Sequence, residues 1–249
     1  MRLDMLTAHR DTGAALLTYC DGATGERTTL TPVELGQWAA RTAGLLADGC
    51  GLAAGDRAAV LLPPHWQTAA VLLGAWSIGV TVSYRSWATA GLPAVGPGQD
   101  EPYDAVFVSR QRLGSWLESV PEARHRFVHD LGPDAAPLDE VPEGYRDFLG
   151  EARHHPGDLP AQQAVRYTDA ASPDGTTYQQ WGGIAAEIAG SLGLAPGDRV
   201  MVDAAAAHLL PVTWLLAPLA AGASILVCAN LDRDAMDRRA AAEGVTHAL

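Results

Sequence analysis

A seven-residue segment occurs twice in this chain, and the pattern that follows it repeats too. Gly51-Leu52-Ala53-Ala54-Gly55-Asp56-Arg57 returns as Gly193-Leu194-Ala195-Pro196-Gly197-Asp198-Arg199. After each copy the sequence predicts a strand (58–62 and 200–203) and an apolar helix (65–78 and 208–221). A single glycine, Gly79 or Gly222, then ends the helix, and a second strand begins. Two β-α-β units of this kind imply parallel strands joined by right-handed crossovers. The expected fold class is α/β, with two similar layered subdomains whose largely parallel sheets are flanked by helices. We place the first subdomain at 1–157 and the second, partial one at 158–249. The Gly-Asp-Arg segment itself reads as a tight turn ahead of a buried strand. It is no phosphate loop, because its glycine spacing is wrong and no Lys-Ser/Thr follows.

An amphipathic helix precedes each copy. The first opens at Thr31-Pro32-Val33-Glu34 and runs to about 48. Thr31 suits the N-cap, Pro32 the first helical position and Glu34 the return bond of a capping box. The second starts near Thr177 and runs to about 192, with Ile184, Ile188 and Leu192 on one face. Between the copies, strands are expected at 103–109 and 125–129, helices at 112–120 and 145–154, and an exposed loop at 132–144. Near the start, 15–20 and 27–30 flank Asp21–Gly25 as a β-hairpin.

Two uncharged stretches, 58–84 and 204–231, are long enough to cross a bilayer. Pro63, Pro64 and Gly79 break the first; Pro211, Pro218 and Gly222 break the second. Each reads better as a buried strand–helix–strand. The 249 residues can bury a substantial core. The formal net charge of −12 disfavours a nucleic-acid backbone as partner. The three cysteines, Cys20, Cys50 and Cys228, are widely spaced and read as buried thiols in a reducing compartment. Met1-Arg2-Leu3-Asp4 lacks the apolar segment of a signal peptide, so the expected location is cytoplasmic.

Leu30-Thr31-Pro32-Val33-Glu34-Leu35, the helix after it, 51–57 and Val60-Leu61-Leu62-Pro63 together resemble the N-terminal domain of the AMP-forming, adenylate-forming superfamily. Acyl-CoA synthetases, luciferases and peptide-synthetase adenylation domains belong to that superfamily. The stretches 193–202, Gly222-Ala223-Ser224 and Val245-Thr246-His247 are similar to it as well. The resemblance covers nearly the whole chain, but only about the first half of a typical member. It implies a phosphate loop of the form Tyr-Thr-Ser-Gly-Thr-Thr-Gly-x-Pro-Lys-Gly just before the second copy, where backbone N–H groups, hydroxyls and a Lys hold ATP.

At that place stands Tyr167-Thr168-Asp169-Ala170-Ala171-Ser172-Pro173-Asp174-Gly175-Thr176-Thr177. By the resemblance, the residues left to bind nucleotide are Thr168, Ser172, Gly175, Thr176 and Thr177. The middle glycines are gone, and Asp174 occupies the Lys position. All 17 basic residues of the chain are Arg, so no Lys elsewhere compensates. Unit charges about 4 Å apart interact by roughly 4 kcal/mol at an effective dielectric of about 20, so exchanging attraction for repulsion here is costly to an anion. The family's adenine-contacting Tyr-Gly-x-Thr-Glu segment, ribose-binding Asp and C-terminal Lys do not occur within these residues.

No catalytic residue is assigned. A metal is not expected: His125 and His129 fall on a predicted strand, and Asp232, Asp234 and Asp237 lack the Gly and Glu of a cation loop. The expectation is a truncated, degenerate ligase-like protein, a pseudoenzyme acting as a binding or assembly module without cofactor. It would pair as a homo-oligomer or with another protein through an edge strand or apolar surface left open near Ile225–Val227. The alternative is a nucleotide- or acyl-binding ligase fragment, using ATP or AMP and Mg, that becomes active when a partner chain supplies the missing motifs.

Overall fold

A computed structural model of the protein describes residues 13–85, 102–114, 120–132, 136–158, 165–206 and 209–249. The hairpin forms as expected. β1 (Leu17–Asp21) runs antiparallel to β2 (Arg27–Leu30) across a turn in which Asp21 Oδ1 accepts the Ala23 N–H at 2.8 Å. Thr31 then caps α1 (Pro32–Gly44). Its hydroxyl accepts the Glu34 N–H at 3.2 Å while Glu34 Oε2 accepts the Thr31 N–H at 2.7 Å, completing a capping box. A wider π-type turn, Leu45–Gly49, carries the helix to its end.

The first repeat unit is β3 (Arg57–Leu61), α2 (Trp66–Ser77) and β4 (Thr81–Tyr84), with β3 and β4 parallel. Every residue of α2 from Trp66 to Trp76 is buried. This explains the uncharged stretch: a helix apolar all round belongs inside the protein. Among the described residues, no helix is long and apolar enough to cross a membrane. β5 (Tyr103–Ser109), α3 (Arg110–Leu113), β6 (Ala123–His129), β7 (Arg146–Asp147) and α4 (Phe148–Arg153) continue the first sheet, whose strand order is β4-β3-β5-β6-β7. Two boundaries differ from expectation. Ser109 caps α3, so that helix starts at Arg110; positions 115–119 of the expected helix lie outside the described residues. Arg146 and Asp147, expected as helix, instead pair with β6, and Asp147 then caps α4.

α5 (Tyr178–Ser191) leads into the second unit, β8 (Arg199–Asp203), a π-type turn (Val212–Leu216), α6 (Ala217–Ala221) and β9 (Ser224–Ala229). Pro218 lacks the N–H that a regular helix would direct back to Trp214, so the expected single helix becomes a wider turn followed by a short helix. α5 buries Tyr178, Ala185 and Ala189, while Ile184 is 39 % exposed. α7 (Arg233–Ala242), capped by Asp232, and β10 (His247–Ala248) complete the described chain.

The two Gly-Asp-Arg turns share one hydrogen-bond scheme. Gly55 N–H donates to Gly79 O at 3.0 Å, and Gly197 N–H donates to Gly222 O at 3.1 Å. Asp56 Oδ2 accepts the Ala53 N–H at 2.8 Å, and Asp198 Oδ2 accepts the Ala195 N–H at 2.7 Å. Gly79 and Gly222 have φ of 84° and 77°, a conformation that a residue with a Cβ adopts only under strain. The turn therefore ties the start of one strand to the end of the following helix.

The second sheet has the order β10-β8-β9-β1-β2. β1 lies parallel to β9 in a five-residue register, Leu17↔Ile225 through Asp21↔Ala229. Sheet pairing thus crosses the division at residue 157, since the hairpin from the chain's start completes the sheet of the second unit. It also corrects the expected open edge. Ile225, Leu226 and Val227 sit between β8 and β1 and are all fully buried.

α1 and α2 cross closely at Gly74. A Cβ there would lie 2.6 Å from Ala39 O and 2.6 Å from Thr42 Cβ. Gly74→Ala is therefore expected to destabilise the protein by about 1–3 kcal/mol through overpacking, despite the better helix propensity of Ala. Urea denaturation checks this; an unchanged or raised midpoint contradicts the tight crossing.

Candidate functional site

The degenerate loop, residues 166–177, docks on β4, the edge strand of the first sheet. Val82 N–H donates to Ala171 O at 2.9 Å, and the Trp76 indole N–H donates to the same carbonyl at 3.2 Å. The Thr81 hydroxyl donates to Ala170 O at 3.2 Å, and the Tyr178 hydroxyl donates to Val80 O at 3.2 Å. The loop leads into α5 of the second unit, so it clasps the two units together.

Its own N–H groups turn inward on the loop. Asp169 N–H donates to Arg166 O, Ala171 N–H to Thr176 O, Gly175 N–H to Ser172 O and Tyr178 N–H to Asp169 O, at 2.8–3.1 Å. Asp174 fills the middle. Its Oδ1 accepts the Ser172 hydroxyl at 2.6 Å and the Thr176 N–H at 3.0 Å. These two bonds hold the Asp174 carboxyl below the usual carboxylate range. The Trp181 indole N–H donates to Ser172 Oγ at 3.1 Å, which fixes the hydroxyl's direction.

The five residues singled out from sequence therefore lie together but have separate local duties. Ser172 is 9 % exposed and engaged by Asp174 and Trp181. Gly175, at φ 83°, closes the Ser172–Gly175 turn. Thr176 gives its N–H to Asp174. Thr177 caps α5 in a second capping box: its hydroxyl accepts the Gln180 N–H at 3.3 Å, and Gln180 Oε1 accepts the Thr177 N–H at 2.8 Å. Thr168 is exposed at the loop's start. An internal carboxylate thus holds the Ser172 hydroxyl and the Thr176 N–H.

His125, His129 and Asp232 have other partners. His125 Nδ1 lies 3.1 Å from an Arg146 nitrogen, and His129 Nδ1 lies 2.8 Å from Gln67 Oε1. Asp232 accepts the Ala235 N–H as a helix cap.

A second polar cluster escaped the sequence reading. His65, Gln67 and His129 are each 1 % exposed in the middle of the molecule. His65 caps α2, its Nδ1 accepting the Gln67 N–H at 3.1 Å. The Tyr19 ring meets His65 edge-on at 4.2 Å, and Phe148 stacks on His129 at 4.3 Å. Burial pushes His65 down from 6.5 to about 3 and moves His129 the same way, so both imidazoles are neutral at pH 7. The one available signal was His65 at the start of a predicted apolar helix, directly after Pro63-Pro64.

The fold is that of the first part of acyl-CoA synthetases and related adenylate-forming enzymes. The acetoacetyl-CoA synthetase of Streptomyces lividans superposes with a TM-score of 0.72 at 20 % identity, over 99 % of this chain and 41 % of that one. An acyl-CoA synthetase of Brucella canis gives 0.69 at 19 %, over 100 % and 47 %. The chain thus spans less than half the length of these enzymes. No protein-family model matches the sequence. The chain is 37 % identical over 237 residues to the TIGR03089 family protein of Mycobacterium tuberculosis, covering 94 % of this chain and 90 % of that relative. It belongs to the TIGR03089 family.

Two outcomes follow. Asp174→Ala is expected to cost roughly 0.5–1.5 kcal/mol, the net worth of ordinary hydrogen bonds. A urea midpoint equal to wild type would mean that the loop does not close on this carboxylate in solution. The buried histidines make the fold acid-sensitive. Their folded pKa values lie below the unfolded 6.5, so their neutral burial contributes fully above pH 6.5 and is lost as pH falls toward the folded values. Stability should drop by about 1.4 kcal/mol per pH unit for each imidazole below pH 6.5. Urea midpoints at pH 7, 6 and 5 test this, and a flat series contradicts it.

Proposed function

We propose that this protein is a non-adenylating relative of acyl-CoA synthetase N-terminal domains, a pseudoenzyme that acts as a binding or assembly module. The observation that supports this reading is Asp174, which sits at the family's Lys position and engages Ser172 and Thr176 itself. An ATP phosphate approaching these donors would meet a fixed negative charge, and the Lys that would neutralise it is absent from the sequence. The burial of Ile225–Val227 removes that strand as a docking edge, so any partner or second copy would engage another surface. A chain with net charge −12 is also unsuited to polyanionic partners.

Isothermal titration with ATP, AMP and an acyl-AMP analogue tests the reading. The expected result is no binding tighter than about 1 mM. Pyrophosphate release from ATP in the presence of a carboxylic acid would overturn it. Tight binding of ATP that weakens in Ser172→Ala and Thr176→Pro would favour a ligase fragment completed by another chain. Light scattering over micromolar concentrations reports whether the module self-associates.

A further inference from the structure

In the first sheet the chain leaves β3 for β4 on one side and returns to β5 on the other, giving the order β4-β3-β5-β6-β7 with all strands parallel. That arrangement places a topological switch point between β3 and β5. Open parallel sheets bind ligands outside the carboxyl ends of their strands at such a point. His65 lies just past the carboxyl end of β3. His129 is the last residue of β6, in register with Ser109 at the end of β5. The buried cluster therefore stands at the ligand-binding edge of the sheet.

Its hydrogen bonds leave a defined remainder. His65 Nδ1 accepts the Gln67 N–H, so the proton of this neutral ring is on Nε2. Gln67 Oε1 can only accept, so His129 Nδ1 carries its proton and His129 Nε2 is a bare acceptor. Among the described residues, His65 Nε2, Gln67 Nε2 and His129 Nε2 have no hydrogen-bond partner, although all three side chains are buried. An unmade bond on a buried polar atom costs the full desolvation of that atom. Three on one hydrogen-bonded chain would take a large share of a domain's marginal stability. Two donors and one acceptor are thus left for something else.

We propose that His65, Gln67 and His129 form an enclosed site at this switch point for a small uncharged molecule with an acceptor oxygen and a donor hydrogen. Water is the smallest such molecule; an alcohol or primary amide of a few heavy atoms is the next. The oxygen takes hydrogens from His65 Nε2 and Gln67 Nε2, and the molecule's own hydrogen goes to His129 Nε2. Neither the two neutral rings nor the amide supplies a positive charge, so a carboxylate or phosphate is excluded on desolvation grounds. This site is independent of the loop at 166–177 and of any reading of adenylation there.

A high-resolution crystal structure of the full chain at neutral pH tests the proposal. The expected result is electron density within hydrogen-bond distance of at least two of the three nitrogens. Native mass spectrometry of the same sample separates the sources: added mass means a retained organic molecule, and none means water. Imidazole ¹⁵N spectra at pH 7 should show His65 protonated on Nε2 and His129 on Nδ1. Gln67→Met keeps the volume but removes both the Nε2 donor to the molecule and the Oε1 that holds His129 Nδ1, and it should abolish the density. If that variant does not fold, the wild-type density and spectra decide alone. Three nitrogens packed against carbon without density, an anion in the site, or an imidazolium spectrum for either histidine would overturn the proposal.

Discussion

The pairing of β1 with β9 is the constraint on which the rest of this architecture depends. Five register pairs join the chain's beginning to a strand more than two hundred positions later. Without β1, the N–H and C=O groups along one side of β9 would need another partner, and Ile225 and Val227 would lose a neighbour in the sheet. The hairpin also carries Leu16, Leu17 and Tyr19 into the main core, where Tyr19 meets His65. The two repeat units are consequently interlocked rather than strung in sequence: the first lends a hairpin to the second sheet, and the second lends the loop at Ala170–Ala171 to β4 of the first sheet.

The turns, caps and buried helix that build an adenylate-forming N-terminal domain are intact. In the loop at 166–177, the donors answer to the chain itself. One carboxylate, Asp174, accepts both the Ser172 hydroxyl and the Thr176 N–H. The loop keeps a structural task, since Ala171 O receives donors from both Val82 and Trp76.

Much of this was legible in the residues. Thr31 and Glu34, and Gly79 and Gly222, announce their roles because their partners lie within a few positions or one helix away. The parallel strands followed from the β-α-β repeat. The two π-type turns and the outward Ile184 did not follow from the patterns used. The strand at Arg146–Asp147 did not follow because its pairing with β6 outweighs local preference. The candidate loop was located by the motif, but its closure on Asp174 was not readable, since a carboxylate in a turn can face water as easily as its neighbours. The cluster of His65, Gln67 and His129 gave almost no signal, because His129 lies more than sixty positions from the other two.

The sequence by itself determined the local grammar: two β-α-β units, their caps and turns, the absence of Lys and the place of the loop. Those properties rest on interactions spanning a few residues and on charge, both of which are written along the chain. Tertiary structure alone decided that the first hairpin enters the last sheet, that Ile225–Val227 is interior, and which buried nitrogens remain without partners. Those outcomes depend on which distant groups meet once the backbone must satisfy its hydrogen bonds out of water.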